Sequence, residues 1–164
     1  MTAPPERTTR RRLLGTLGVG TAAVLGGCAG VSDGPTYVDG TVDDAGGGSR
    51  NASEMAAAEA VAEREVNDAA SHLEVLSLEE HEFVVESGYK GPTVQGAVTN
   101  TGDDPVEVVE VRVRVYDDTG AQLGRYVAST GDVAPGATWR FEVILLASAE
   151  DIADYDVAVL GVPD

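Results

Sequence analysis

The sequence predicts a mainly β protein, a small antiparallel β-sandwich of about six strands, on three observations. Apolar residues recur at every second position after residue 74. Turn signals interrupt them every 8 to 15 residues. And one stretch, VEVVEVRVRVYDD at 106–118, alternates cleanly, with Val109, Val111, Val113 and Val115 on one side and Glu110, Arg112, Arg114 and Tyr116 on the other. The valine side is expected to be the central core and the opposite side to be wet.

Ahead of the sandwich, residues 1–27 read as an export signal. Arg10, Arg11 and Arg12 make a positive start, and residues 13–27 carry no charged side chain. That run is shorter than the roughly 20 strongly apolar residues of a membrane span. Gly15, Gly18, Gly20, Gly26 and Gly27 weaken it further, so a cleaved segment fits better than a permanent helix. Thr9-Arg10-Arg11-Arg12-Leu13-Leu14 resembles the twin-arginine (Tat) motif, which implies export of an already folded chain with Arg10 and Arg11 as the recognised pair. The alternative is a generic positive-inside start. Leu25-Gly26-Gly27-Cys28 resembles a lipobox, which implies that Cys28 becomes the lipid-bearing N-terminus on the outer face of the cell membrane. The alternative for Cys28 is an ordinary buried thiol, which its place at the end of the signal disfavours. Cys28 is the only cysteine, so no internal disulfide forms and the exported domain relies on its core. A single lipid chain binds membranes marginally, so firm anchoring takes two chains or a second contact.

Residues 28–50 read as a flexible acidic tether, rich in Gly, Asp and Ser and without periodicity. Such a segment of about 22 residues has a root-mean-square span of roughly 25 Å. Tyr37 and Val38 are its largest apolar spot, either packed or simply exposed. Residues 51–74 read as an Ala/Glu-rich helix, over 52–71, and a connection. Asn51-Ala52-Ser53 is an N-glycosylation sequon, but Asn51 with Glu54 also fits a capping box. Met55, Ala58, Ala62 and Val66 form a thin apolar stripe, too poor in large side chains to build a core, that is expected to dock on the following domain.

The strands of the domain at 75–164 follow in order. HEFVVES at 81–87 and PTVQGAVTN at 92–100 precede the valine strand. QLGRYVAS at 122–129 follows a turn at 117–120, where Gly120 takes the left-handed position. After Pro135-Gly136, TWRFEVILL at 138–146 sets Trp139, Phe141, Val143 and Leu145 on one face, and YDVAVLG at 155–161 is the last strand. DIADY at 151–155 fits a tyrosine corner, in which the Tyr155 hydroxyl bonds back to upstream backbone. Immunoglobulins carry a cysteine two residues later; Val157 stands there instead, so apolar packing replaces the inter-sheet disulfide.

Residues 80–161, about half the chain, resemble the FxLYD domain, an immunoglobulin-like β-sandwich family of membrane-associated or secreted microbial proteins. Gly96, Val98, Asn100 and Gly102 match its G-x-V-x-N-x-G pattern, and Tyr116-Asp117 match the Y-D of its name. Val113 and Val115 stand where the family has Phe and Leu, so the motif is partly kept. Pro135, Gly136 and Phe141 match the later turn and strand. The resemblance implies a fold and no mechanism, since the family is not defined by an activity. Asn100 is expected to close the turn to Gly102 rather than to act on a ligand.

Chemistry-bearing motifs are sparse. His72 and His81 have no second ligand at metal spacing, so both read as surface or capping histidines. No Gly-x-Ser-x-Gly and no glycine-rich strand-to-helix loop occurs. Acidic pairs mark turns at Asp43-Asp44, Asp103-Asp104, Asp117-Asp118 and Glu150-Asp151, but no D-x-D-x-D-G calcium loop is formed. Asp103-Asp104 and Asp117-Asp118 flank one strand, roughly 40 Å apart at about 3.3 Å per residue, too far for a shared ion. No metal and no cofactor is expected, and an enzyme is the weakest reading.

The whole chain carries a formal −17, and residues 1–27 hold four arginines and one glutamate, so the remainder carries −20. That surface repels nucleic-acid phosphates and anionic headgroups. Its composition resembles that of extreme halophiles, where molar salt screens self-repulsion over about 3 Å; the export signals resemble haloarchaeal practice. The expected function is a non-enzymatic binding or assembly module with an unidentified surface protein partner. The alternatives are a structural envelope component without a ligand, or an accessory subunit of a membrane transporter or enzyme.

Overall fold

The computed structural model describes residues 34–43 and 45–164, all within one compact unit, Ser32–Asp164. Cys28, Arg10 and Arg11, like the whole export signal, lie outside the described residues.

Among the described residues, seven strands and one α-helix follow in the order β1 (Val38–Thr41), α1 (Ala52–Val61), β2 (Leu76–Val85), β3 (Pro92–Asn100), β4 (Val106–Tyr116), β5 (Gln122–Val133), β6 (Thr138–Ile144) and β7 (Asp154–Pro163). They form two antiparallel sheets, β1-β7-β4-β5 and β2-β3-β6, packed as a mainly β sandwich. The valine side of β4 is its centre: Val109, Val111, Val113 and Val115 are fully buried. Val113 lies between Tyr126 of β5 and Val157 of β7 in register, and Val94, Val98, Phe141 and Val143 face it from the smaller sheet. Period two produces this because every second side chain of a strand points the same way.

Four expectations are corrected. The first concerns the tether: within 28–50, Val38–Thr41 is a seventh strand, pairing Val38 with Val157 and Thr41 with Asp154. Tyr37 is also fixed, its ring lying 3.5 Å from the Arg114 guanidinium carbon in a cation–π contact. Arg50, at the other end of the segment, donates to the carbonyls of Tyr89, Lys90 and Leu145. Burial draws its guanidinium pKa down against that.

The second concerns the helix, which stops at Val61 rather than 71. Asn51 starts it with a complete capping box, accepting from the Glu54 N–H while Glu54 accepts from the Asn51 N–H. Ala62 then turns extended (ψ 123°), which lets Glu63 pair with Val127 on the outer edge of β5. Ala58 is the only buried residue of the helix, so little packing energy opposes that early exit.

The third concerns the far side of β4. Glu110 is 2% exposed, Arg112 9% and Asp156 of β7 6%. The segment 62–72 crosses this face as a strap, from its bridge at Glu63–Val127 to a second at Ser71–Gly161 on β7. Under it, the Asn67 N–H donates to Glu110, Arg112 donates to the Asn67 carbonyl, and Arg112 Nε pairs with Glu110. Beside it, Arg114 Nε donates to Asp156 Oδ1 at 2.9 Å and Tyr116 Oη donates to Oδ2 at 3.1 Å. Buried charges persist only when paired and hydrogen-bonded, and no buried side-chain nitrogen or oxygen among the described residues lacks a partner.

The fourth concerns the tyrosine corner. The Tyr155 hydroxyl meets a side chain, His81, and not upstream backbone.

Candidate functional site

The residues of the family pattern serve the fold. Asn100 is fully buried; its Oδ1 accepts from the Gly102 N–H, and its Nδ2 donates to the carbonyls of Asp104 and Val133. A side chain on Gly96 would sit 2.2 Å from the Glu80 carbonyl oxygen and 2.5 Å from the Phe141 ring, so glycine lets that ring lie against β3. Asp117 accepts from Thr119 Oγ1 and from the N–H groups of Thr119 and Ala121, and the Thr119 hydroxyl bond above all holds its carboxyl below the usual range. Tyr116 is pushed up, first by burial and then by its bond to Asp156. Asn51 is exposed at the start of α1, its Oδ1 engaged as the cap.

The two histidines separate. His72 is exposed, whereas His81 is half-buried, its Nδ1 2.9 Å from Tyr155 Oη and its ring edge-on to that of Tyr155. Burial lowers its pKa and pushes the Tyr155 hydroxyl up to about 12. Of the acidic pairs, Asp117-Asp118 and Glu150-Asp151 share one hollow at an end of the sandwich. Among the described residues no group of three or more His, Cys, Asp or Glu side chains is placed to hold a metal ion.

What a sandwich without such a centre offers other molecules is its strand edges, rows of unpaired N–H and C=O groups. Three of the four edges are blunted. β1 is four residues long, with Asp39 in it and Asp43 just beyond. β2 carries Glu79, Glu80 and Glu82 and is irregular between Leu78 and Glu80. β5 is bridged at its midpoint by Glu63.

β6 is the open edge. The Leu145 N–H donates to the Pro92 carbonyl and the Ala137 carbonyl accepts from Asn100, so the odd-numbered residues face β3. The backbone groups of Thr138, Arg140, Glu142 and Ile144 therefore point away from the sheet, and among the described residues nothing pairs with them. A groove of about 270 Å³ runs along this edge, with residues 61–63 and Val127, Ala128 and Ser129 of β5 on its far wall. Trp139 is half-buried at its rim and Val61 is exposed. Lys90 pairs with Glu142 at 2.8 Å, a hydrogen bond that raises the ammonium pKa, while Arg140 reaches Glu80 only at 3.4 Å with its side chain 81% exposed. Alternation located this strand in the sequence, but which of its groups stay unpaired depends on the sheet order.

No known family model matches the chain. It is 32% identical over 87 residues to an uncharacterized protein of Methanocaldococcus jannaschii, a match covering 52% of this chain and 63% of the relative's length. Among solved structures, it is similar to the solution structure of the uncharacterized lipoprotein yajI of Escherichia coli, with a TM-score of 0.33 and 10% identity over 56% of this chain and 60% of that one. No described helix is long and apolar enough to cross a membrane.

Proposed function

We propose that the chain is an exported, lipid-anchored surface protein whose β-sandwich is a non-enzymatic binding and assembly module of FxLYD type. The observation that carries the reading is the uncapped edge of β6, left open with its groove while the other three edges are shortened, charged or bridged. Main-chain groups on such an edge give affinity to an added strand, and the side chains beside them give selectivity. The Tat-like pair Arg10 and Arg11 and the lipobox at Cys28 supply the address. The path from Cys28 to the first strand is short: ten residues to Val38 span at most about 35 Å at about 3.5 Å each. A lipid on Cys28 would hold the first strand within that reach of the membrane.

The experiment is cross-linking on intact cells and purification through a C-terminal tag, beside Cys28→Ser. The expected result is a reproducible protein partner that is lost when Cys28→Ser releases the chain from the membrane fraction. An abundant, membrane-bound chain with no partner would overturn the module and favour a structural envelope component. A variant retained in the membrane as firmly as the wild type would overturn the lipid anchor.

A further inference from the structure

Deepening the assembly reading, and resting on it, we infer that the partner of β6 is a second copy of this chain, joined edge to edge in an antiparallel pair centred on Phe141. The edge reads Thr138-Trp139-Arg140-Phe141-Glu142-Val143-Ile144. Turning a second copy about Phe141 sets Arg140 opposite Glu142 of that copy, and Glu142 opposite its Arg140. The edge is thus complementary to itself in charge, as a two-fold interface requires.

The hydrogen-bond parity selects the same register. In an antiparallel ladder, directly opposed residues either exchange both backbone bonds or exchange none. Phe141 points its backbone groups at β3, so it belongs at the centre of a pair that exchanges none. Its neighbours 140 and 142, and then 138 and 144, fall at positions that exchange both. Every outward N–H and C=O of β6 then finds a partner, and none is left over within the strand.

Charge separates this edge from the others. On a chain of formal −17, like-charge repulsion opposes self-association almost everywhere. β1 and β2 would set acids against acids, with Asp39 on one and Glu79, Glu80 and Glu82 on the other. β6 carries one arginine and one glutamate and is neutral over its length. Arg140 is also the least committed cation near it, since Lys90 already holds Glu142 from the same copy. The joined sheet would run β2-β3-β6 into β6-β3-β2 of the second copy. Trp139 would face Val143 across the seam.

The test uses register-specific cross-linking of the full-length chain displayed on cells. In this register residue 138 opposes residue 144 of the other copy at about 5.5 Å between Cα atoms, within the range a disulfide spans. Inside one copy the same two positions are about 20 Å apart along the strand, six residues at about 3.3 Å. Thr138→Cys/Ile144→Cys should therefore give, on mild oxidation, a reducible dimer in good yield. Neither single variant should. Arg140→Pro, added to the cysteine pair, removes an outward-facing N–H together with the guanidinium, at a place where edge strands tolerate proline. It should abolish the dimer while the variant melts within a few degrees of its parent.

Arg140→Glu should lower the dimer yield at least tenfold, and Arg140→Glu/Glu142→Arg should restore it. No dimer from the double-cysteine chain, a dimer from Thr138→Cys alone, or one that persists in Arg140→Pro would overturn the inference. Recovery of a different surface protein on β6 without the disulfide dimer would overturn the second copy and leave the assembly reading standing. A β6 dimer on a chain that Cys28→Ser does not release would sustain the pairing and overturn the anchor.

Discussion

Tyr155 Oη and His81 Nδ1 share a hydrogen bond of 2.9 Å, tying the start of β7 in one sheet to the middle of β2 in the other. Burial pushes the tyrosine up to about 12, so it keeps its proton, and holds the imidazole pKa down. Gly40 on β1 makes room for the ring: a side chain there would meet Tyr155 at 2.2 Å. Three strands thus meet at one hydroxyl.

The sign of the pH dependence follows from burial. His81 is held below 6.5 in the folded chain. From the folded value up to about 6.5 the unfolded chain binds the proton and the folded chain does not, so stability rises with pH across that window. Melting temperature should therefore fall as pH is lowered through 6.5. His81→Gln should flatten that part of the profile; a His81→Gln curve parallel to the wild type would refute the coupling.

Arg112 and Glu110 sit together beneath Asn67. Arg112→Met leaves a carboxylate buried without its cation and should cost about 3–5 kcal/mol by denaturant unfolding. Replacing both, in Arg112→Met/Glu110→Leu, should cost clearly less than the single change. Equal losses would show that the strap, and not the ion pair, sets the cost.

Asn100→Ala leaves the carbonyls of Asp104 and Val133 and the Gly102 N–H without their partner. At about 1–3 kcal/mol for each buried group left unsatisfied, the loss should exceed about 2 kcal/mol. A thermal melt unchanged by the substitution would mean that water replaces the side chain.

Val113 is fully buried between Tyr126 and Val157. Val113→Asp places an unpaired charge there and should prevent folding. A cooperative melt of that variant in molar salt would remove Val113 from the core.

Salt should matter to the wild type as well. With a formal −17 and few cations to offset it, dialysis from molar salt into dilute buffer should lower the melting temperature. A melting temperature independent of salt would refute the halophilic reading of the composition.

The core was legible because period two is a local property: Val109 to Val115 announce one face of β4 without reference to anything else. The other face was not, because whether Arg112 is wet depends on what crosses above it, and the strap that does so lies some 45 residues earlier in the chain. The end of α1 was illegible for the same reason. Ala62 to Ser71 has helical composition, and pairing of Glu63 with Val127 and of Ser71 with Gly161 outweighs it. β1 was hidden in a stretch of Gly and Asp with only Tyr37 and Val38 to mark it. The open edge of β6 is legible as a strand but not as an edge. The self-complementary order of Arg140 and Glu142 was present in the letters, without meaning until the sheet order exposed it.

β1 pairs with β7, the earliest with the latest strand to be synthesised among the described residues. The larger sheet therefore needs both ends of the domain, its first strand held against its last. A nascent chain still emerging from the ribosome cannot complete it. Until Asp154–Pro163 is released, β4 has a bare flank and β1 has nowhere to dock. The domain passes from incomplete to finished only once β7 has emerged, and removing that strand would also unfasten β1.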